Sequence, residues 1–155
     1  MSNNHFNVRR ATQSDVESIV ELNRNITREL ENVELDPYLL RRGVAEILVS
    51  PTKGFYVVAE TDSKIVGVLM VRYEWSPRRF ATFWWFDNVF VDPKWRRKGV
   101  YTAMHHHLEK ESLDTDGVCG IRLYTSMENK DARRTYRQLG MKGAHDEFFE
   151  IEFTQ

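Results

Sequence analysis

One stretch of this sequence limits the possible folds more than any other, because it joins a strand to a helix through a basic loop that ends in glycine. Ala81 to Val91 is rich in aromatic and β-branched residues, which favour a strand. After the loop from Asp92 to Gly99 comes a helix pattern, and Ile121 to Thr125 follows as a short strand. The apolar face of that helix consists of Val100, Ala103, Met104, His107 and Leu108. Such a strand–helix–strand unit is right-handed, and its two strands lie side by side, either parallel or splayed.

The rest of the chain gives clear helix and strand signals. Ser14 and Glu17 form a capping box that predicts a first helix, and Asp36 before Pro37 predicts the start of a second. Turn residues at 62–64 indicate a hairpin. The other predicted elements are strands over Phe6 to Arg10, Phe55 to Glu60, Ile65 to Tyr73 and Phe148 to Phe153, and a helix over Asn129 to Leu139 closed by Gly140. The order β-α-α-β-β-β-α-β-α-β predicts a single α/β domain over residues 1–155.

Composition excludes several classes of function. The chain has 22 basic and 23 acidic residues, so it lacks the overall positive charge that drives non-specific binding to nucleic acid. Its one cysteine, Cys119, excludes an intramolecular disulfide and fits a reducing compartment. The longest apolar stretch, Phe80 to Val91, is too short to span a bilayer and contains Asp87. We therefore expect a cytoplasmic protein with no membrane or nucleic-acid partner.

The basic loop has the features of a phosphate site. The first turn of a helix offers unpaired N–H groups and the positive end of the helix dipole, and Gly99 allows close approach of an anion. Lys94 and the run Arg96 to Lys98 add positive charge. The letters alone favour a simpler interpretation, a helix start with solvated basic side chains. The loop matches neither the Walker pattern nor the Rossmann glycine pattern.

Two motifs in the correct order resemble those of the GNAT acetyltransferase superfamily. The first, Phe90-Val-Asp-Pro-Lys-Trp-Arg-Arg-Lys-Gly-Val100, is similar to the family's strand end and V-x-P-x-x-R/Q-x-x-G-x-G/A loop. The second, Asn129-Lys-Asp-Ala-Arg-Arg-Thr-Tyr-Arg-Gln-Leu-Gly-Met141, resembles the family's N-x-x-A-x-x-x-Y segment and the glycine after it. Tyr101 is a departure, because the family usually has Gly or Ala there. The resemblance implies a central twisted, mostly antiparallel sheet with one splayed parallel strand pair, flanked by about four helices.

The resemblance also implies acetyl-CoA as the donor and CoA as the product. In this family the pantetheine arm runs along the strand that ends at Val91, and loop amides hold the pyrophosphate. An amide near Val89 to Phe90 would polarise the thioester carbonyl. The cofactor-binding residues implied in this way are Val89, Phe90, Val91, Arg96, Arg97, Lys98, Gly99, Val100, Tyr101, Thr102, Asn129 and Tyr136.

Two side chains are the catalytic candidates that follow from the resemblance. Tyr136 is placed to protonate the departing thiolate, since a phenol keeps its proton at neutral pH; alternatively it is a core aromatic of its helix. Asp87 lies where similar enzymes often carry a Glu and is the candidate base, directly or through a water. The alternative for Asp87 is a carboxylate satisfied by local hydrogen bonds. Glu74 and Glu150 are weaker candidates.

Acidic residues between the first two helices bear on the acceptor. Glu31 and Glu34 belong to a rim that would favour a small cationic amine such as a polyamine or an amino sugar, with Trp85 and Asp87 lining the same pocket. A solvated acidic loop explains the same residues equally well. A peptide or protein amine stays open as the acceptor. A GNAT-fold module that holds acyl-CoA without turnover is the rival class, and exposed aromatic strands leave a homodimer open.

Three consecutive histidines do not predict a metal site. Neighbouring residues on a helix point about 100° apart, so His105 to His107 cannot converge on one ion. Cys119 is expected to be a small apolar residue rather than a nucleophile. We therefore expect no metal cofactor.

Overall fold

The computed structural model of this chain describes residues 5–153. It divides into two units, Met1–Tyr124 and Thr125–Gln155. The first contains strands β1 (Asn7–Arg10), β2 (Phe55–Thr61), β3 (Lys64–Ser76), β4 (Ala81–Val91) and β5 (Val118–Leu123), and helices α1 (Val16–Glu31), α2 (Pro37–Val49) and α3 (Val100–Leu113). The second contains helix α4 (Lys130–Gln138). Single-turn 3-10 helices over Gln13–Asp15 and Pro93–Trp95 precede α1 and α3.

The start of α2 confirms the prediction, whereas the start of α1 corrects it. The Asp36 carboxylate accepts hydrogen bonds from the backbone N–H groups of Tyr38 and Leu39, and Pro37 opens the helix. At α1 the capping box is formed by Thr12 and Asp15, not by Ser14 and Glu17. Both pairs have the spacing of a capping box, but Asp15 is also fixed by an arginine that the sequence pattern does not reveal.

The sheet has five strands in the order β1-β2-β3-β4-β5. The first four pair antiparallel as a meander, and β4 and β5 pair parallel, connected by α3 as predicted. The turn between β2 and β3 has positive φ at both Asp62 (50°) and Ser63 (61°). Two such residues match the right-handed twist of a two-residue hairpin, which explains why the turn occurs there. The last strand of the unit starts earlier than predicted, at Val118 rather than Ile121.

Helices cover both faces of the sheet. On one face α3 packs Val100, Met104 and Leu108 against strand residues that include Trp84 and Phe86. On the other face α1 and α2 pack against Tyr56, Val58 and Val68. Because successive side chains of a strand point to opposite faces of the sheet, every second side chain of β4 faces α1 and α2.

Gly67 of β3 lets the start of α3 lie close to the sheet. A Cβ atom there would come 2.6 Å from Cγ1 of Val100 and 3.2 Å from Cε of Met104. These distances are shorter than ordinary van der Waals contacts, so the glycine sets how closely the helix start approaches the strand. The loop that precedes α3 is positioned by the same contact.

In the second unit, α4 begins at Asn129, whose side chain accepts a hydrogen bond from the N–H of Ala132 at 3.1 Å. Its end is closed by Gly140 at φ 86°, as predicted, and the N–H of Met141 donates to the carbonyl of Tyr136 at 3.0 Å. The prediction of a last strand over Phe148 to Phe153 is wrong for this structure. Those residues form no strand, because they join no ladder, and the side chains of Phe149, Ile151 and Phe153 are more than four-fifths exposed.

Asp15 provides a test of the fold at low pH. Its carboxylate accepts two hydrogen bonds from Arg9, at 2.8 and 3.0 Å, and one from the backbone N–H of Thr12 at 2.7 Å. The Arg9 guanidinium is the main reason that the pKa of Asp15 lies below its ordinary value. Folding stability from this group is therefore complete above the unfolded pKa of about 3.9 and is lost as the pH falls through the lower folded pKa.

We expect Asp15→Asn to destabilise the protein by about 1–3 kcal/mol at pH 7, because it removes a largely buried charge-assisted pair. The difference from the parent protein should shrink below about pH 4, which urea unfolding at several pH values would measure. Glu17→Gln is the matched control, since the ion pair of Glu17 with Arg41 is exposed. An equal loss at pH 3 and pH 7 would contradict the role given to Asp15.

None of the helices in residues 5–153 combines the length and the apolar character needed to cross a bilayer.

Candidate functional site

The ladder between β4 and β5 ends before β4 does. Their parallel pairing stops at Phe86 and Leu123, while β4 runs on to Val91 and stays paired with β3 on its other side. The β5 side of the last five residues of β4 thus has no ladder to β5. Val89, Phe90 and Val91, which were predicted to contact the cofactor, all lie on this stretch.

A β-bulge lies in the same stretch of β4. Asp87 pairs with Met70 and Phe90 pairs with Val68, so two residues of β4, Asn88 and Val89, lie opposite one residue of β3. Asn88 has a φ of 44°, an uncommon conformation for a residue other than glycine, and its N–H donates to the Asp87 carboxylate at 2.8 Å. A bulge redirects side chains and exposes backbone groups, and such features are common next to active sites. The aromatic and β-branched pattern of this strand gave no sign of it.

Asp87 and Trp85 lie on the side of the sheet that faces α1 and α2. Met70, which is opposite Asp87, packs with those helices, whereas Phe86 packs with α3. Asp87 is half-exposed and accepts a hydrogen bond from Nε of Arg72 at 2.9 Å. Local hydrogen bonds to Asp87, the alternative left open by the sequence, are therefore present, and they leave the carboxylate accessible to solvent.

A second carboxylate on the same face is also paired. Glu74 accepts from Nε1 of Trp85 at 2.6 Å and from Nη1 of Arg122 at 2.5 Å. Tyr124 stacks on Trp85 with ring centroids 4.4 Å apart. Arginines, carboxylates and aromatic rings from three strands thus form one polar surface, and the sequence analysis missed its arginines. Alternation in the β3 sequence, where Arg72 and Glu74 are two residues apart, was the available signal.

The first turn of α3 contains backbone N–H groups that precede the hydrogen bonds of the helix. Gly99 is the N-cap residue with φ 86°, and the first helical hydrogen bond runs from the N–H of Ala103 to the carbonyl of Gly99 at 2.9 Å. The amides of Val100, Tyr101 and Thr102 therefore come before the first helical bond, and no side chain caps this end. This geometry supports the predicted phosphate site better than the sequence letters did.

The basic side chains of the loop differ in their availability. Arg96 donates through Nη1 to Glu29 of α1 at 2.9 Å and through Nε to the carbonyl of Val91 at 3.3 Å. Lys98 lies over the ring of Trp95, with Nζ 4.9 Å from the centroid. Arg97 is exposed, with φ 59°. Arg96 is thus committed to protein groups, and Arg97 and Lys98 remain the more accessible cations.

Tyr101, the departure from the family pattern, contacts its own helix. Its hydroxyl lies 3.2 Å from Nδ1 of His105, one turn further along α3. Burial lowers the pKa of His105 below its ordinary value, which favours the neutral ring. The Tyr101 ring is therefore directed along the helix rather than over the first-turn amides. Sequence reasoning placed His107 on the buried face, whereas the structure buries His105 more completely.

The two predicted residues of the second motif belong to one helix, since Asn129 is the N-cap of α4 and Tyr136 lies within α4. The side-chain oxygen of Asn129 is used to cap the helix. Tyr136 is half-buried, and this burial raises the pKa of its phenol above the ordinary value of about 10. The phenol therefore keeps its proton through the neutral range.

The acidic rim is mostly neutralised by arginines. Glu34 forms ion pairs with Arg28 and Arg24, and Glu29 with Arg96, while Asp36 caps α2. Glu31 is exposed at the end of α1. An attraction for cationic acceptors from this rim is accordingly weaker than the sequence suggested.

A cavity of about 290 Å³ lies elsewhere, between the end of α2 and the start of β2. Its lining includes Arg10, Phe55 and Tyr73. None of the residues that line it belongs to β4, to the basic loop or to α3, so the cavity is not part of the site. No group of three or more metal-ligating side chains converges within residues 5–153.

Comparisons with known proteins bear on the site as a whole. The acetyltransferase (GNAT) family matches residues 16–141, which include both motifs. An N-alpha-acetyltransferase of Sulfurisphaera tokodaii is 28% identical over 143 residues, covering 88% of this chain and 80% of that protein. The structure of a possible acetyltransferase from Clostridium difficile 630 is 33% identical with a TM-score of 0.87, covering 97% of this chain and 99% of that one.

A more distant structure shares the fold alone. It is an aminoglycoside acetyltransferase from an uncultured soil metagenomic sample, solved in complex with sisomicin. It is 17% identical with a TM-score of 0.76, and the match covers 100% of this chain and 99% of that one. A protein named for aminoglycoside acceptors therefore has this architecture.

Proposed function

This chain is an acyltransferase that belongs to the acetyltransferase (GNAT) family, and on that premise we propose that it moves an acetyl group from acetyl-CoA to a primary amine by direct attack. The observation that carries the proposal is the side of β4 beyond Phe86 that has no ladder to β5, together with the uncapped start of α3 that follows the basic loop. Such an edge suits an extended arm ending in a pyrophosphate, because strand edges and first-turn amides both offer hydrogen-bond donors.

The donor would bind along β4 and the start of α3. In this proposal the backbone of Phe90 and Val91 pairs with the pantetheine arm, and an amide near Val89 polarises the thioester carbonyl. The pyrophosphate lies on the amides of Val100 to Thr102, with Arg97 and Lys98 adding charge. Arg96 would have to leave Glu29 to take part, so we assign it mainly to positioning the loop.

The chemistry needs one base and one acid. An alkylammonium loses a proton, directly to Asp87 or through water, and its nitrogen then bonds to the acetyl carbon. The C–S bond breaks with its electron pair moving to sulfur, and the phenol of Tyr136 protonates the thiolate. The products are the N-acetylated amine, CoA and one proton released to solvent after Asp87 and Tyr136 are restored.

The acceptor would lie against Trp85 and Asp87. A polyamine or an amino sugar was favoured by the acidic rim, and pairing of Glu34 and Glu29 with arginines removes most of that argument; Glu31 stays a candidate contact. The relative named as an N-alpha-acetyltransferase supports an α-amino group as the second candidate acceptor. Tyr101, in place of the usual Gly or Ala, was the main support for a non-catalytic module that only holds acyl-CoA. The contact of Tyr101 with His105 weakens that alternative.

Calorimetry with acetyl-CoA tests the donor site. We expect saturable binding of acetyl-CoA and of free CoA at one site per chain, and no binding of ATP. Replacing Arg97 and Lys98 together by Gln should weaken CoA binding by about tenfold or more, because two exposed charges near a phosphate are lost. Arg41→Gln, which changes an exposed pair on α2, is the control. Absence of CoA binding in the parent protein would refute the proposed function.

A further inference from the structure

Arg72 has an unusual combination of contacts beside the bulge. Its guanidinium lies 4.9 Å from the centroid of the Trp85 ring and bonds to Asp87 through Nε. Its two terminal nitrogens make no hydrogen bond with any residue in the part of the chain that the structure describes. The side chain is about one-third exposed. Ring and carboxylate therefore hold the guanidinium in place while its terminal N–H groups face outward.

The terminal N–H groups of a fixed guanidinium form a fork that matches a carboxylate. Within residues 5–153, Asp87 directly beside it accepts bonds from Arg72 and from the N–H of Asn88 alone, so its oxygens have lone pairs left for an ammonium group. The two charges are in direct contact. A ligand that uses both carries an amine and a carboxylate close together, as an α-amino acid does.

Other amines fit this arrangement less well. A polyamine presents only positive charge and would be repelled by Arg72. The first residue of a peptide has an uncharged amide where the carboxylate would be, and therefore leaves the guanidinium fork without its partner. The carboxylate and the ammonium of a free α-amino acid would each meet an opposite charge.

We propose, building on the proposed function, that the acceptor is a free α-amino acid whose carboxylate binds the terminal nitrogens of Arg72 and whose amino group lies on Asp87. The ammonium gives one proton to Asp87, and its nitrogen bonds to the acetyl carbon of acetyl-CoA as the C–S bond breaks. The electron pair moves to sulfur, which takes the proton of the Tyr136 phenol, and the second proton of the nitrogen restores that phenol. Asp87 then releases its proton to solvent, and the products are an N-acetyl amino acid and CoA. Arg72 is the specificity-determining residue of this reaction.

The test is a panel of matched acceptors, with products identified by mass spectrometry. It contains the L-amino acids, their α-amides, spermidine, glucosamine and short peptides with free N-termini. We expect acetylation of one or several amino acids with kcat/KM about 10- to 100-fold above that of the matching amide, as expected for loss of a charge-assisted bond. Acetylation of amides equal to that of amino acids would overturn the inference.

Variants separate specificity from structure. Arg72→Gln should raise KM for the amino acid and abolish its advantage over the amide, and Arg72→Lys should restore part of the advantage. A purely structural role would lower both activities equally and keep their ratio, which would contradict the inference. Arg79→Gln is the control, because Arg79 also stacks on a ring of this sheet, that of Phe83, but pairs with no carboxylate among the residues that the structure describes.

The two proposals fail in different ways. Turnover of spermidine, glucosamine or peptides without turnover of amino acids would refute the zwitterionic acceptor and leave the N-acetyltransferase intact. If no amine is acetylated while acetyl-CoA binds, both proposals are wrong.

Discussion

Replacing Tyr136 by Phe lowers kcat by about 10²-fold while leaving the affinity for acetyl-CoA unchanged, because a general acid contributes to the transition state and not to donor binding. The ring and its packing are kept, and only the hydroxyl is lost. Since burial raises the pKa of this phenol, the parent enzyme should keep its acid form until well above neutral pH. Activity should then fall as the pH rises through that higher pKa, and the Phe variant should lack this alkaline fall.

Steady-state kinetics over a range of pH, together with calorimetry of acetyl-CoA, would measure both parts. Tyr38→Phe is the control, since Tyr38 is an exposed tyrosine on α2. Unchanged turnover in Tyr136→Phe would make Tyr136 a packing residue of its helix. A parallel loss of donor affinity would instead assign it to cofactor binding.

Asp87→Asn should reduce kcat/KM by a similar factor, about 10²-fold, with the greatest loss at low pH, where the acceptor amine most needs a base. The substitution keeps the size of the side chain, but its single oxygen can replace only one of two acceptors, Oδ2 that accepts from Arg72 or Oδ1 that accepts from the N–H of Asn88. If the thermal stability of the variant matches that of the parent, a change in activity comes from the loss of charge and basicity rather than from the bulge. Kinetics between pH 6 and 10 with saturating acetyl-CoA would measure it.

Glu74→Gln is the matched control, because Glu74 is the other carboxylate on this surface and is held by Trp85 and Arg122. If Asp87→Asn kept the full pH–rate profile of the parent, Asp87 would not be the base. If Glu74→Gln reproduced the loss instead, the base would have to be reassigned to Glu74.

Most of the sheet could be predicted because its signals are local. Asp62 and Ser63 are turn residues that specify a hairpin, and Asp36 with Pro37 specifies a helix start. The parallel pair follows from the strand, glycine loop and helix in sequence, since such a crossover has one favoured hand. The sequence also predicted Gly99 at the start of α3, and the reason is again local. Glycine itself tolerates the positive φ that this position has.

The features that sequence reasoning missed depend on neighbours distant along the chain. Asp15 forms the cap instead of Ser14 and Glu17 because Arg9 reaches it from β1. His105 is buried although it interrupts the apolar pattern, because Tyr101 provides a polar partner. Alternating aromatic residues at 148–153 predicted a strand, but alternation cannot supply the partner that a strand needs.

β4 and β5 are neighbours in the sheet, yet the loop and α3 separate them in sequence, from Asp92 to Gly117. β2, β3 and β4 can pair in succession as local hairpins. β5 can pair with β4 only after α3 has crossed the sheet. Pairing between strands distant in sequence forms slowly, because the entropy of the connecting chain is lost before the stabilising contacts are made. The cleft proposed for the donor is therefore among the last parts of the sheet to form, and a nascent chain that ends at α3 has no cofactor cleft for acetyl-CoA to stabilise.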